Sequence, residues 1–169
     1  MKIVAYDKNG APGVGVLSED ETTVAPFALS PAEAAEGVQS LVERSVAGEA
    51  LPETGAPVKL ADLHLRAPLP RPRRNVFCVG KNYYDHAHEF SKSGFDSSAA
   101  AGTIPKAPIV FSKVPESVCA HGDPILMDPS VSATLDYEVE LGVIIGKGGR
   151  GITKEDALDH VWGYTVIND

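Results

Sequence analysis

Two glutamates one residue apart open the chemistry of this chain, in the run Tyr137-Glu138-Val139-Glu140-Leu141-Gly142-Val143-Ile144-Ile145. In a strand, successive side chains point to opposite faces, so Tyr137, Val139, Leu141, Val143 and Ile145 share one face while Glu138 and Glu140 share the other. Residues two apart start about 6.6–7 Å from one another. Two ionised carboxylates side by side in a stretch otherwise rich in Val and Ile are unfavourable unless something positive lies between them. A hard cation such as Mg²⁺, Mn²⁺ or Ca²⁺ prefers carboxylate oxygens and is one remedy. The alternative places both acids on the wet face of an antiparallel strand. A third acid, Asp169, follows the apolar run 161–167 and Asn168. There it is either a further ligand mounted at a strand end or a turn former. Three such carboxylates would need a positive partner, and a divalent ion lowers their charge to about −1.

A second group of reactive types is Gly80-Lys81-Asn82-Tyr83-Tyr84-Asp85-His86-Ala87-His88-Glu89-Phe90. If the segment is helical, His86 and Glu89 are neighbours on one face. A carboxylate accepting from one imidazole nitrogen fixes the tautomer and raises the basicity of the other, which suits a general base. The same spacing also describes an exposed His and Glu on an ordinary helix. His64, His121 and His160 have no clustered partners in sequence, and structural or surface roles are expected for them.

These residues need elements to hold them. Residues 2–6, a turn at 7–10 and residues 14–17 read as a small hairpin. Ser30-Pro31-Ala32-Glu33 supplies an N-cap, a first-turn proline and an acidic first turn. With the apolar spacing of Val38, Leu41 and Val42, this predicts one helix over about residues 31–47. The proline-rich residues 67–72 cannot continue a helix or a central strand. The organisation expected is therefore a small N-terminal domain over 1–66, a linker over 67–74 and a second domain over 75–169. In the latter, residues 75–79, 107–113, 137–145 and 161–167 read as strands. A short helix is predicted around 85–93, a turn at 146–151, and a helix start at Thr153-Lys154-Glu155-Asp156.

The bulk properties fit a globular protein of one or two units: 169 residues, 43% hydrophobic and 22% charged. With 23 acidic against 15 basic side chains and a net charge of −8, the chain has no electrostatic footprint for nucleic acid or an anionic membrane. The arginines at 71, 73 and 74 stand among prolines and read as a solvated linker. Cys78 and Cys119 lie in apolar surroundings without Cys-x-x-Cys spacing, and buried free thiols in a reducing cytoplasm are expected. No apolar run reaches the roughly 18 residues of a membrane span, and the first residues read as a strand instead of a leader.

Four blocks taken in order carry a resemblance. They are Phe77-Cys78-Val79-Gly80-Lys81-Asn82-Tyr83 with His86 and Glu89; Pro108 with Phe111 and Lys113; Asp136-Tyr137-Glu138-Val139-Glu140-Leu141; and Gly163-Tyr164-Thr165-Val166-Ile167-Asn168-Asp169. Over residues 75–169 the chain resembles the fumarylacetoacetate hydrolase family, and the preceding part looks like the N-terminal extension of many bacterial members. The resemblance implies an α+β protein, a mixed β-roll with a small N-terminal α/β domain. It implies Glu138, Glu140 and Asp169 as ligands of Mg²⁺ or Mn²⁺, with Ca²⁺ an alternative. It implies a lid over residues 83–103 carrying His86 and Glu89 as catalytic residues, and Tyr83 and Lys113 as substrate contacts.

The implied substrates are small dicarbonyl or 2-oxo acids such as acylpyruvates, fumarylpyruvate and oxaloacetate. The implied chemistry is hydrolytic C–C cleavage: His86, held by Glu89, deprotonates a water that attacks the distal carbonyl. Decarboxylation of oxaloacetate and hydratase or isomerase chemistry are the alternatives within the family, and a non-catalytic binding module is the alternative outside it. A homodimer in the cytoplasm is implied as well. Two departures stand out. Positions 75–84 contain no Asp or Glu to act as the fourth carboxylate of larger eukaryotic members, so water is expected there. Members of the family also continue for roughly another hundred residues past the position of Asp169, completing the roll and supplying a lysine.

Overall fold

Asn9 and Gly10 both take positive φ, 52° and 80°, and so close a two-residue turn between β1 (Lys2–Lys8) and β2 (Ala11–Leu17). Asn-Gly favours this turn because both central residues must enter the left-handed region, and its twist matches that of the flanking strands. β3 (Thr23–Pro26), β4 (Val58–Lys59) and β5 (His64–Arg66) complete a five-stranded antiparallel sheet in the order β4-β3-β2-β1-β5. In this computed structural model the structure describes residues 1–85 and 107–169. They form two compact units, one of residues 1–70 with 119–169 and one of residues 71–118.

The predicted hairpin and the predicted cap are both present. Ser30 accepts from the Glu33 amide while the Glu33 side chain accepts from the Ser30 amide, a reciprocal capping box that starts α1 (Pro31–Ala35). The single helix expected over 31–47 is instead two, α1 and α2 (Gln39–Val46). The cause is Gly37, whose φ of +66° ends the first helix. A Cβ there would lie 2.2 Å from the Pro68 carbonyl oxygen, so only glycine lets that strap of chain approach. Val38, the N-cap of the second helix, donates its amide to the Pro68 oxygen at 2.8 Å. The proline-rich strap is thus part of the packed unit as far as Pro70.

Val38, which caps α2, and Leu41 and Val42 within it pack with Ala5, Val14 and Phe27 in one buried cluster of the sheet–helix module. Each fully buried Leu or Val side chain contributes about 1.5–3 kcal/mol relative to exposure. The other unit carries a two-stranded antiparallel ribbon, β6 (Val76–Gly80) against β7 (Ile109–Lys113), with Val76 opposite Lys113. Asn75 Nδ2 donates to Ser112 Oγ at its open end. Cys119, expected to be buried, is exposed, and Cys78 is half-buried. The apolar neighbours of Cys119 in sequence do not close over it, because residues 118–138 carry no helix or strand.

β8 (Val139–Ile145) and β9 (Val161–Asn168) pair antiparallel in the first unit. Between them the helix predicted from Thr153 onward is only a 3-10 turn, Ala157–His160. Thr153 Oγ1 accepts from the Asp156 amide and donates to its carboxylate, but no longer helix follows. His160 Nδ1 donates to the Lys147 carbonyl at 2.7 Å and the Gly146 amide to the His160 carbonyl at 2.9 Å, which closes the connection. Among the described residues no helix is long and apolar enough to cross a membrane.

Candidate metal centre

β8 begins at Val139, so Glu138 stands one residue before the strand and Glu140 one residue inside it. The pairing puts Val139 opposite Asn168 and Glu140 opposite Ile167. Continued by one step, that register sets Asp169 against Glu138. A main-chain bond from the Asp169 amide to the Glu138 carbonyl, 2.8 Å, makes this extra step real. The Glu138 amide donates in turn to Asn168 Oδ1 at 3.1 Å. Three acids from two strands therefore emerge at one end of one ribbon.

One carboxylate oxygen from each of Glu138, Glu140 and Asp169 lies within 4.8 Å of the other two, and all three residues are half-buried. With oxygen ligands at about 2.1 Å, an octahedral ion separates neighbouring ligands by about 3 Å and opposite ligands by about 4.2 Å; the longer bonds of calcium stretch this to about 5 Å. The observed spread has that scale. The donor set is all carboxylate oxygen, which suits a hard divalent cation and offers nothing to a soft one. Like charges gathered this closely repel, and a cation among them is the most direct relief.

The faces of the ribbon are distributed in an unexpected sense. Glu140, Gly142 and Ile144 are half-buried, whereas Val139, Leu141, Val143 and Ile145 are exposed, Val139 at 71% and Leu141 at 57%. The acids are therefore not on the wetter face of their strand. Beyond Glu140 on the same face, a Cβ at Gly142 would meet Thr165 Cγ2 at 2.8 Å, so the Thr165 methyl closes down on the glycine.

The remaining expected site residues are placed as follows. Tyr83 is exposed, three residues past the end of β6, and Lys113 is half-buried as the last residue of β7; both belong to the unit of residues 71–118. His86 and Glu89, the short helix expected at 85–93 and most of the expected lid lie outside the described residues. His64 Nε2 is 3.6 Å from Asp123 Oδ1 on the surface, and His160 serves the connection after β8. Asn168 was not singled out by spacing. Its side chain holds the Glu138 amide, a bond that depends on the one-step extension of the ladder.

Residues 75–169 match the family described as fumarylacetoacetate (FAA) hydrolase, C-terminal. Among curated relatives, the chain is 47% identical over 110 residues to oxaloacetate tautomerase YisK of Bacillus subtilis, covering 65% of this chain and 34% of that protein. It is 36% identical over 167 residues to the mitochondrial oxaloacetate tautomerase FAHD2A of Bos taurus, covering 98% of this chain and 48% of that protein. Among solved structures, the fumarylacetoacetate hydrolase of the psychrophile Exiguobacterium antarcticum superposes over 100% of this chain and 55% of its own, with a TM-score of 0.69 and 31% identity. The maleylpyruvate hydrolase of Sphingobium sp. SYK-6, solved with manganese(II) ion and pyruvate, shares the fold at a TM-score of 0.59 and 24% identity, over 100% of this chain and 58% of its own. The chain spans about half the length, or less, of the relatives it matches.

Proposed function

This chain belongs to the fumarylacetoacetate hydrolase family, and from that premise we propose that it is part of a divalent-metal enzyme converting a small 2-oxo acid of the oxaloacetate class between its keto and enol forms. The observation that carries the reading is the gathering of three carboxylates within 4.8 Å at one ribbon end. The names of the relatives select the reaction, since both curated relatives described above are oxaloacetate tautomerases.

Glu138, Glu140 and Asp169 would hold Mg²⁺ or Mn²⁺, which when bound supplies Lewis acidity toward adjacent oxygens of a 2-oxo acid. The three acids hold and orient that ion, and Asn168 and the Glu138–Asp169 main-chain bond keep their backbones in register. Tautomerisation moves one proton between the C3 carbon and the C2 oxygen of the substrate and consumes no water. One group must remove the C3 proton, and we assign that role to His86 with Glu89 orienting its imidazole. Tyr83 and Lys113 are proposed to contact the substrate, Lys113 through its positive charge on a carboxylate.

A second reading, hydrolytic C–C cleavage of an acylpyruvate, is favoured by the same pair, because a histidine held by a carboxylate equally activates water. The products separate the two. Full-length protein given enol-oxaloacetate and Mg²⁺ or Mn²⁺ should return the unbroken keto acid, followed by the loss of enol absorbance. Release of two acids from acylpyruvates under the same conditions would instead establish the hydrolase. Glu140→Gln should weaken Mg²⁺ binding at least about tenfold, a loss of about 1.4 kcal/mol. Turnover unchanged in His86→Ala would remove the proposed base.

A further inference from the structure

The ribbon that carries the three acids is held at its opposite end. Its register runs regularly from Val139 opposite Asn168 to Ile144 opposite Gly163 and then slips, with Ile145 opposite Val161. Trp162 is therefore the extra residue of a β-bulge. A bulge bends the strand and re-aims a side chain, and here the side chain it re-aims is the chain's single tryptophan. Trp162 and Ile144 pack against the buried cluster of Ala5, Val14, Phe27, Val38, Leu41 and Val42. The Trp162 indole N–H donates to Ser45 Oγ on α2 at 3.1 Å.

A two-stranded ribbon alone is marginal in water. Six residue steps along each strand separate the Ile144–Gly163 pair from the Glu138–Asp169 step, about 20 Å at about 3.3 Å per residue. All three acids lie at one end of this span, and the contact with the module's core lies at the other. A ribbon that frays between the two loses the Asp169–Glu138 bond and with it the common origin of the carboxylates. An ion bound at one end favours the ordered ribbon, and so does the indole seated on α2 at the other. Two events that favour the same ordered state are linked, and the linkage is reciprocal.

We propose that Trp162, seated on α2 through Ser45, is a positioning residue for the carboxylate end of the ribbon, so that the sheet–helix module of residues 1–70 tunes ion affinity at Glu138, Glu140 and Asp169. This rests on the metal-centre reading above. The module is then more than an extension of the catalytic part: its second helix is the footing of the metal-bearing strands.

Calorimetric titration of full-length protein with Mg²⁺ alone tests it, using wild type, Ser45→Ala, Ser45→Thr, Trp162→Phe, the Ser45→Ala/Trp162→Phe double variant and Glu140→Gln. Trp162→Phe keeps an aromatic ring on the core but loses the indole N–H together with part of the ring's packing area, whereas Ser45→Ala removes the hydrogen bond alone. Ser45→Ala and Trp162→Phe should each raise the Mg²⁺ Kd about twofold to tenfold, the range one hydrogen bond can transmit. The double variant should be no weaker than the weaker-binding single, since both break one bond, and Ser45→Thr should restore wild-type affinity. Adding Mg²⁺ to wild type should also shift the emission of Trp162, defined by subtraction of the Trp162→Phe protein. If Glu140→Gln weakens binding while Ser45→Ala and Trp162→Phe leave Kd unchanged, even with a lower melting temperature, the contact is a fold contact only and the inference is overturned. If Glu140→Gln binds Mg²⁺ as wild type does, the metal centre itself is lost and the inference with it.

Discussion

The sheet–helix module and the β8–β9 ribbon are both rich in Val, Ile and Leu, yet they dispose of those side chains in opposite ways. In the module, α2 lies over the sheet, and Val14 and Leu41 are completely enclosed. In the ribbon the apolar stripe Val139, Leu141, Val143 and Ile145 is exposed among the described residues, and the half-buried face is the one that carries an acid and a glycine. Alternation separates two faces. It does not say which face turns inward, because that depends on what else the chain has available to pack against each one.

Truncating one leucine in each region sharpens this contrast, and the largest effect is expected in the core. Leu41→Ala should lose about 2–5 kcal/mol of stability in chemical denaturation, the usual cost of a cavity. Leu141→Ala should change it by no more than about 0.5 kcal/mol. Equal losses at the two positions would mean that the ribbon's stripe is not solvent-facing at all. Glycines offer a smaller and independent comparison. Gly37→Ala forces a side chain into positive φ against the Pro68 carbonyl and should cost about 1–3 kcal/mol. Gly148→Ala, in the connection after β8, meets no atom within 4 Å and should be neutral to within about 1 kcal/mol.

The smallest effect is electrostatic and is read at Glu33 in the module. Ser30 hydroxyl and amide donors, then the Arg44 guanidinium, hold the Glu33 carboxyl at about 2, well below its ordinary 4.5. An acid whose folded-state pKa is depressed contributes stability at pH above 4.5 and loses it as pH falls toward 2, since the unfolded chain takes up the proton first. Denaturation midpoints measured across that window should therefore decline with falling pH, and Glu33→Gln should flatten the decline. An unchanged slope in Glu33→Gln would assign the acid sensitivity to other carboxylates.

The sequence was most legible where local rules decide. The hairpin was legible from its two apolar runs and the turn between them, although the second strand starts at Ala11, earlier than expected, and Ser30-Pro31-Ala32-Glu33 marked a helix start that is present to the residue. The strands of the ribbon were legible from alternation, and the nearness of Asp169 to the Glu138/Glu140 pair was an expectation carried by resemblance that the register now accounts for. Tertiary contacts were not legible. The helix break at Gly37 depends on Pro68, thirty-one residues away, and a single isolated glycine in a helical pattern does not reveal that approach. The exposure of Cys119 reflects a stretch without regular elements, which its apolar neighbours concealed. The bulge that turns Trp162 toward Ser45 leaves no mark in the spacing of either residue.

The step that joins Asp169 to Glu138 is made by an amide and a carbonyl, with no side-chain atom in it. Whatever donors occupy positions 138, 140 and 169 thus inherit the same launching points, and the ribbon acts as a chassis whose fittings can be exchanged. Shortening Glu140 to Asp would open the gauge toward larger ions, and a histidine there would move preference toward borderline metals such as zinc, without asking the backbone to change.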